Sequence, residues 1–354
     1  MTERKLASVR KIDNITPIEN ADAIMCAHIG GWKVVVKKGD FNIGDLAVYF
    51  EIDSFLPTEL ASFLSKGKEP REFNGVKGER LRTIKLRGQL SQGLLLPLQI
   101  EERENHSLRV SFNGVEITAI NADECEGTDL TEILNIQKWE RPMNAQLAGM
   151  AKGNFPSFVI KTDQERIQNL SKEFQEWKYS GLTFEVTEKC EGSSMTVYLN
   201  NGEFGVCSRN LDLKETEGNA FWQVARELDL ENKLRDLGVN FALQGELIGP
   251  AIQGNIYKLT KPEFRLFDIF NIDTQEYASM PDRARIASAL RLKEAPFIGV
   301  ISLSDFVDID QVLCYAEGKS ELYDTEREGV VFKCIEDPSI SFKAISNTYL
   351  MGEK

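Results

Sequence analysis

The sequence predicts an α+β protein in two parts, a small all-β barrel followed by a half in which strands alternate with helices. Three observations lead there. The chain has 354 residues, more than one core of ordinary size needs. Short strand signals bounded by Gly, Asp or Asn fill the first 140 residues, with no convincing helical period among them. Beyond residue 150, apolar runs of period two alternate with runs of period 3.6.

In the first part, WKVVVKKGD at 32–40 and DLAVYFEID at 45–53 read as strands, followed by RLRTIKLRG at 80–88, GLLLPLQ at 93–99 and GVEITAI at 114–120. Their β-branched and aromatic residues suit a pleated surface with one side buried. Five or more such strands make a small antiparallel barrel or sandwich, and the OB-type barrel is one such shape. Residues 141–155, RPMNAQLAGMAKGNF, combine Pro, Gly and small residues without a period and read as the connection between the halves. We divide the chain into an OB-like barrel over 1–145 and a second domain over 146–354.

The second part opens with LTFEVTEK at 182–189 and MTVYLNNGEFGVCSR at 195–209, whose Asn200-Asn201-Gly202 turn joins two alternating runs into a hairpin. Residues 219–236 place Phe221, Val224, Leu228 and Leu234 on one stripe of a helix, with Gly238 just past its end. Pro281 opens another helix, PDRARIASALRL, because proline is tolerated at the first helical position. The remaining apolar runs, FALQGELIG, EFRLFDIF, EGVVFKCI and SISFKAIS, read as strands.

Composition narrows the functional classes. No apolar run approaches the length of a membrane span, and the N-terminal MTERKLASVRK lacks the apolar segment of a secretory signal. The expectation is a cytoplasmic protein with no membrane partner. Six cysteines without a CxxC pair and two histidines suggest neither a disulfide framework nor a zinc site. The net charge of -13 argues against a chain that grips polyanions everywhere, but its distribution is uneven: -3 over residues 1–150 and -10 over the rest. Within 66–87, eight basic residues stand against three acidic ones, a candidate phosphate track whose alternative is a solvated strand-turn-strand surface.

Strands that bury Val, Phe and Ile while presenting Glu, Asp or Lys at their ends aim charge into a common cleft. There is no GxxxxGK[ST] and no GxGxxG, so a nucleotide bound here is not cradled by a P-loop or a dinucleotide fold. In EKCEGSSMTVY at 188–198, Lys189 and Cys190 stand side by side. The Lys189 amine becomes a nucleophile where burial or neighbouring cations lower its pKa, and attack on phosphorus or on a carbonyl is open to it. Cys190 has no histidine near it in sequence to make it a thiolate, and reads as a small buried residue.

Taken in order, Lys189-x-Glu191-Gly192, Ser208-Arg209-Asn210, Gln244-Gly245-Glu246, Phe267-Asp268, Glu328-Gly329 and Phe342-Lys343 resemble the successive motifs of the covalent nucleotidyltransferases, the polynucleotide ligases and capping enzymes. The series covers about the last 170 residues and extends with lower specificity through KTDQERIQNL at 161–170. Within that superfamily the chain is most similar to an ATP-dependent RNA ligase with an N-terminal OB domain and a C-terminal nucleotidyltransferase (adenylyltransferase) domain built on antiparallel sheets. DNA ligases and capping enzymes usually carry their OB domain after the last motif, and only 11 residues follow Lys343. The alternatives are a DNA ligase, a GTP-using capping enzyme, or a catalytically degenerate OB-type nucleic-acid-binding protein.

The resemblance implies that Lys189 attacks the α-phosphorus of ATP to form lysyl-AMP, that the adenylate passes to an RNA 5′-phosphate, and that a 3′-hydroxyl displaces AMP in RNA repair by a monomer. It implies that Glu328 holds Mg²⁺ or Mn²⁺ through water, with Asp268 a less certain metal residue. Glu246 and Glu191 would contact the nucleotide, and Phe267 would stack on adenine unless it is only a core residue of an alternating strand. Arg209 would bridge the AMP phosphate and the incoming 5′-phosphate, and Lys343 would contact the α-phosphate. Many relatives have Lys-x-Lys where this chain has Ser341-Phe342-Lys343, and Lys333 would compensate in part. Lys161 and Arg166 are candidates for ATP phosphate or RNA contacts, with a helix start as the alternative.

Overall fold

The computed structural model describes residues 4–102, 108–117, 122–140 and 149–352. The described residues up to 140 and those from 149 form two compact units. Most of the predicted connection, residues 141–148, lies outside the described residues, as do the last three residues of GVEITAI. Among the described residues no helix is long and apolar enough to cross a membrane.

The first unit is built from short antiparallel sheets. Leu46–Phe50 pairs with Ala7–Lys11 on one side and Leu94–Pro97 on the other, and Ala21–Ile29 pairs with Asn14–Ile18 and Trp32–Lys37. Val9, Val48, Phe50, Leu56, Val110, Phe112, Leu130 and Ile136 close the core from several of these sheets. The strands before Trp32 escaped the sequence reading, because NITPI and the polar start of ADAIMCAHI alternate poorly. Within 66–87, Arg71, Lys77 and Arg80 are committed to Glu79, Glu69 and Asp53 at 3.7, 3.2 and 2.6 Å. Arg80 also lies 4.0 Å from the centre of the Trp139 ring, so at least three of the eight basic residues of the proposed phosphate track have partners on the protein. Lys85 and Arg87 stay exposed on the hairpin Thr83–Leu86/Gln89–Gln92.

The second unit packs a seven-stranded antiparallel sheet and a five-stranded sheet, each backed by helices. The seven-stranded sheet runs Ala151–Asn154, Leu211–Leu213, Glu203–Cys207, Ser193–Asn200, Phe241–Ile248, Glu263–Asn271 and Glu276–Tyr277. The predicted hairpin turn is present: Asn201 and Gly202 both take positive φ, at 49° and 83°, as a two-residue primed turn requires. One face buries Met195, Val197, Leu243, Leu247, Leu266 and Ile269 against three helices. The helix read over 219–236 is in fact two, Ala220–Glu227 and Leu230–Leu237, broken where Asp229 takes φ 52°. Its predicted stripe survives the break: Phe221, Val224 and Leu234 are buried, with Leu228 packed beside them. Asn219 caps the first by accepting from the Phe221 and Trp222 amides, and Ser279 caps Met280–Leu290 by accepting from Asp282 N–H.

The five-stranded sheet runs Glu165–Arg166, Ser341–Ile345, Gly329–Cys334, Thr183–Glu188 and Phe297–Ser302, antiparallel except for the first pair. Phe184, Val186, Phe332 and Phe342 fill its backed face, against Ser171–Ser180 and Ile309–Ala316. Phe342 stacks between Phe332 and Trp177, with centroids 4.7 and 5.7 Å away, each pair adding about 0.5–1.5 kcal/mol beyond its area burial. Arg327 donates to the carbonyls of Tyr315, Ala316 and Glu317 at 2.7, 3.0 and 2.8 Å. It thereby satisfies the C-terminal end of Ile309–Ala316 and ties the strand carrying Glu328 to that helix.

Candidate active site

Side chains alternate along a strand, so the register decides which polar residues share a face. In the five-stranded sheet, Thr187, Val331, Lys343 and Arg166 form one cross-strand row, and Glu185, Lys333 and Ser341 the next. Both rows lie on the face turned away from the aromatic core. In the seven-stranded sheet, Ser194, Glu246 and Arg265 form one row and Thr196, Gln244 and Asp268 another, again opposite the core face. The two polar faces meet where Lys333 of one sheet forms an ion pair with Asp268 of the other. Burial draws the Lys333 pKa down to about 7, with Glu185 acting in the opposite sense.

Lys189 follows the end of Thr183–Glu188 and extends the same alternation onto the polar face. Its amide donates to the Gly329 carbonyl at 2.9 Å, which sets it beside the start of the strand headed by Glu328. Its ammonium lies 2.6 Å from Glu328 Oε1, with the two side chains 26% and 17% exposed. Burial pulls the Lys189 pKa down, but the Glu328 and Glu246 carboxylates outweigh it and hold the amine protonated. Glu246 is pushed the other way, up to about 8, by burial and by the negative charge of Glu328. Lys189 and Arg209 oppose that shift.

Cys190 is 4% exposed and packs with Ile248, Tyr257 and Ala295. Burial and the nearby Glu188 and Glu246 push its thiol far above the ordinary range, so it stays a thiol at neutral pH. Glu191 takes a supporting place: its amide donates to the Tyr257 hydroxyl at 2.6 Å, and its Oε1 accepts from the Gly254 amide at 2.8 Å. Phe267 occupies a β-bulge, since Gln244 pairs with Asp268 while Gly245 pairs with Leu266. The bulge leaves its ring half-buried, packed beside Cys190, Ile248 and Tyr257.

Arg209 stands past the hairpin's second strand and meets Asp163 at 2.7 Å. Lys161 reaches Asn210 at 3.2 Å and Thr162 reaches Ser194 at 3.2 Å, so the segment 160–163 lies along the same rim. Arg166 and Lys343 are paired in register, and Arg166 is 6% exposed. Lys161 is on an extended approach, and Arg166 ends a short strand and directly precedes the 3-10 turn Ile167–Asn169, so the helix-start reading holds for Arg166 and not for Lys161.

Two residues of this face received no role from the sequence reading, although Gln244 stood in one of its motifs. Arg265, cross-strand from Glu246, meets Glu263 at 2.8 Å. Gln244 is fully buried between Thr196 and Asp268. The alternation in FALQGELIG and EFRLFDIF puts each on the same side as a residue that was chosen, which was the available signal.

Glu328 and Glu246 offer hard oxygen donors around one lysine, and the raised Glu246 pKa reflects carboxylates crowded out of water; both suit a divalent cation. Among the described residues no group of three or more His, Cys, Asp or Glu could hold a metal. Asp268 is committed to Lys333.

Comparison with known proteins bears on the family and the fold. A family model described as RNA ligase matches residues 182–345, and one described as an OB-fold domain matches residues 6–98. The structure is similar to that of an unliganded mutant of Naegleria gruberi RNA ligase, with TM-score 0.87 and 44% identity over 99% of this chain and 98% of that one. The chain belongs to the RNA ligase family. Mutants of the Naegleria gruberi RNA ligase solved with ATP and Mn, and with AMP and Mn, match this RNA ligase equally, each at 44% identity and TM-score 0.87 over 99% of both chains. No curated protein matches it in sequence. The OB fold thus precedes the ligase motifs, the order that the sequence implied.

Proposed function

We propose that this RNA ligase joins RNA 3′-hydroxyl and 5′-phosphate ends at the expense of ATP, through lysyl-AMP on Lys189 and then an RNA-adenylate. The observation that carries the reading is the Lys189 ammonium, 2.6 Å from Glu328 and under the field of Glu246, at the mouth of two facing polar sheets. In the first step the Lys189 amine, once deprotonated, forms a P–N bond to the α-phosphorus and pyrophosphate leaves. In the second, an RNA 5′-phosphate oxygen displaces the lysine, which takes back a proton. In the third, a 3′-hydroxyl displaces AMP and the phosphodiester forms.

Charge moves onto phosphate oxygens in each step, so catalysis here is placement and electrostatics. Mg²⁺ or Mn²⁺ held through water by Glu328 would neutralise phosphate charge and favour the neutral lysine. Glu246 suits the ribose hydroxyls as a carboxyl that accepts hydrogen bonds and, while its raised pKa keeps the proton on, donates one, and Phe267 offers its ring to the adenine. Arg209 and Lys343 serve the phosphates, with Lys161 and Arg166 flanking them. Lys333, partnered with Asp268, supports the same wall, and Glu191 anchors the Gly254 loop beside the nucleophile. The OB-like barrel ends and the adenylyltransferase half begins at 145/146 in this reading. No disulfide joins any of the six cysteines and five are buried, which suits a reducing, cytoplasmic setting.

The test is label transfer from ATP radiolabelled at the α-phosphate, with Mg²⁺ or Mn²⁺, to the denatured chain. Wild type and Cys190→Ala should take label and Lys189→Met should not; nicked or single-stranded RNA bearing a 5′-phosphate should then be sealed. Label persisting on Lys189→Met, or none on the wild type with either metal, would overturn the reading.

A further inference from the structure

We propose that Gln244 sets the nucleobase preference of the adenylylation step, its side-chain oxygen accepting a hydrogen bond from the 6-amino group of the adenine of ATP. This assignment rests on the proposed transfer of adenylate to Lys189.

Gln244 is fully buried, where each polar atom ordinarily has a partner. Its Nε2 donates to the Ile160 carbonyl at 2.6 Å. That bond settles which end of the amide is which, because only the nitrogen end can donate to a carbonyl. The oxygen is thereby turned the other way, and it is buried without accepting from any protein group. Segment 155–160 closes the face on the far side, with Val159 packed against Tyr198, Ala242 and Phe270.

The register shows where that acceptor lies. Gln244 pairs with Asp268, and the bulge that turns Phe267 out of the regular alternation falls between Gln244 and Gly245. Glu246 is two residues along on the same face. A base stacked on Phe267, with its ribose at Glu246, therefore brings its edge to the neighbourhood of Gln244.

At the purine 6-position adenine carries a donor, whereas guanine and hypoxanthine carry an acceptor. A buried acceptor aimed at that position gains a bond with adenine and faces lone-pair repulsion with the other two. Sites of this kind discriminate because the wrong ligand leaves a buried polar group unpaired. Asp268 and Lys333 already satisfy each other, whereas Gln244 Oε1 is a buried acceptor on this wall that takes no hydrogen bond from the protein.

The experiment uses the full chain and single-turnover formation of the lysyl-nucleotide, comparing ATP with inosine triphosphate, which carries a carbonyl oxygen at position 6 and a proton on N1. Wild type should prefer ATP by about 10- to 100-fold, the worth of one buried hydrogen bond and its repulsive counterpart. Gln244→Met should compress that ratio to within about threefold, mainly by slowing ATP. Gln244→Glu, which keeps an acceptor, should retain the preference. A purely supporting role for the Ile160 bond predicts equal losses with both nucleotides and an unchanged ratio, which would overturn the assignment. Because Gln244→Met could fail to fold, wild type is also tested with the triphosphate of purine riboside, which lacks any group at position 6. It should react about tenfold more slowly than ATP, and equal rates would overturn the assignment. Wild type that takes label from none of the nucleotides removes the adenylylation reading and this assignment with it, whereas a lost ratio effect with normal labelling removes the assignment alone.

Discussion

Gly329 follows the carboxylate beside the nucleophile, and replacing it by alanine tests how the site is held. Its φ is 155°, in a region that residues with a Cβ rarely enter. A Cβ built there would lie 2.2 Å from the Ala344 carbonyl oxygen and 2.9 Å from the Ile345 Cα. Relief requires the two strands to part by roughly 1 Å, since carbon and oxygen pack at about 3.3 Å or more. Strain of this kind costs about 1–3 kcal/mol, and forcing a methyl into a packed sheet costs about 1–3 kcal/mol more. The variant should therefore lose about 2–6 kcal/mol of stability, read as a lower urea midpoint with an unchanged slope. The same shift moves the Gly329 carbonyl that holds the Lys189 amide at 2.9 Å. A displacement of about 1 Å at a reacting group costs on the order of 100-fold in rate, measurable as lysyl-AMP formation under conditions where the variant is still folded. Loss of less than about 1 kcal/mol with wild-type labelling would refute the packing argument.

Glu246→Gln should flatten the pH dependence of stability. The folded pKa of about 8 lies above the ordinary 4.5, so this group's contribution is fully present below about 4.5 and is lost as pH rises through about 8. The melting temperature of wild type should fall more steeply than that of the variant between these limits, and parallel curves would contradict the assignment. Arg283 binds Glu185 through both nitrogens of its fork, at 2.5 and 2.9 Å, with both side chains below 10% exposure. Arg283→Met removes the hydrogen-bonded partner of a buried carboxylate and should cost about 3–5 kcal/mol, most of it recovered by adding Glu185→Leu. A double variant no more stable than the single would refute this. In native protein a thiol reagent should modify Cys314 rapidly and the five buried cysteines slowly. Fast reaction of Cys190 would contradict its high thiol pKa.

Much of the fold was legible because its signals are local. Alternation in EGVVFKCI and SISFKAIS depends only on which residues fall on a strand's two faces, and Asn201-Gly202 carries its own turn chemistry. The site was legible for a different reason, since each motif places a charge at a strand end and the order of motifs is a property of the chain. The break at Asp229 was not legible, because the stripe of Phe221, Val224, Leu228 and Leu234 continues across it and a left-handed residue leaves no mark on periodicity. Gln244 stood in a motif without a role of its own, and Arg265 lay within EFRLFDIF without being singled out.

The sequence by itself determined the two-part layout and the set of charged groups, because composition, spacing and motif order need no neighbours to be read. Only the tertiary structure decided what each charge does. Asp268 is spent on Lys333, Glu191 on the Gly254 loop, and Arg80 on Asp53 and Trp139. Lys189 is held protonated by carboxylates 57 and 139 positions away in the chain. Such pairings depend on distance and desolvation, both set by how the two sheets are brought together, and neither is encoded in a residue's place along the chain.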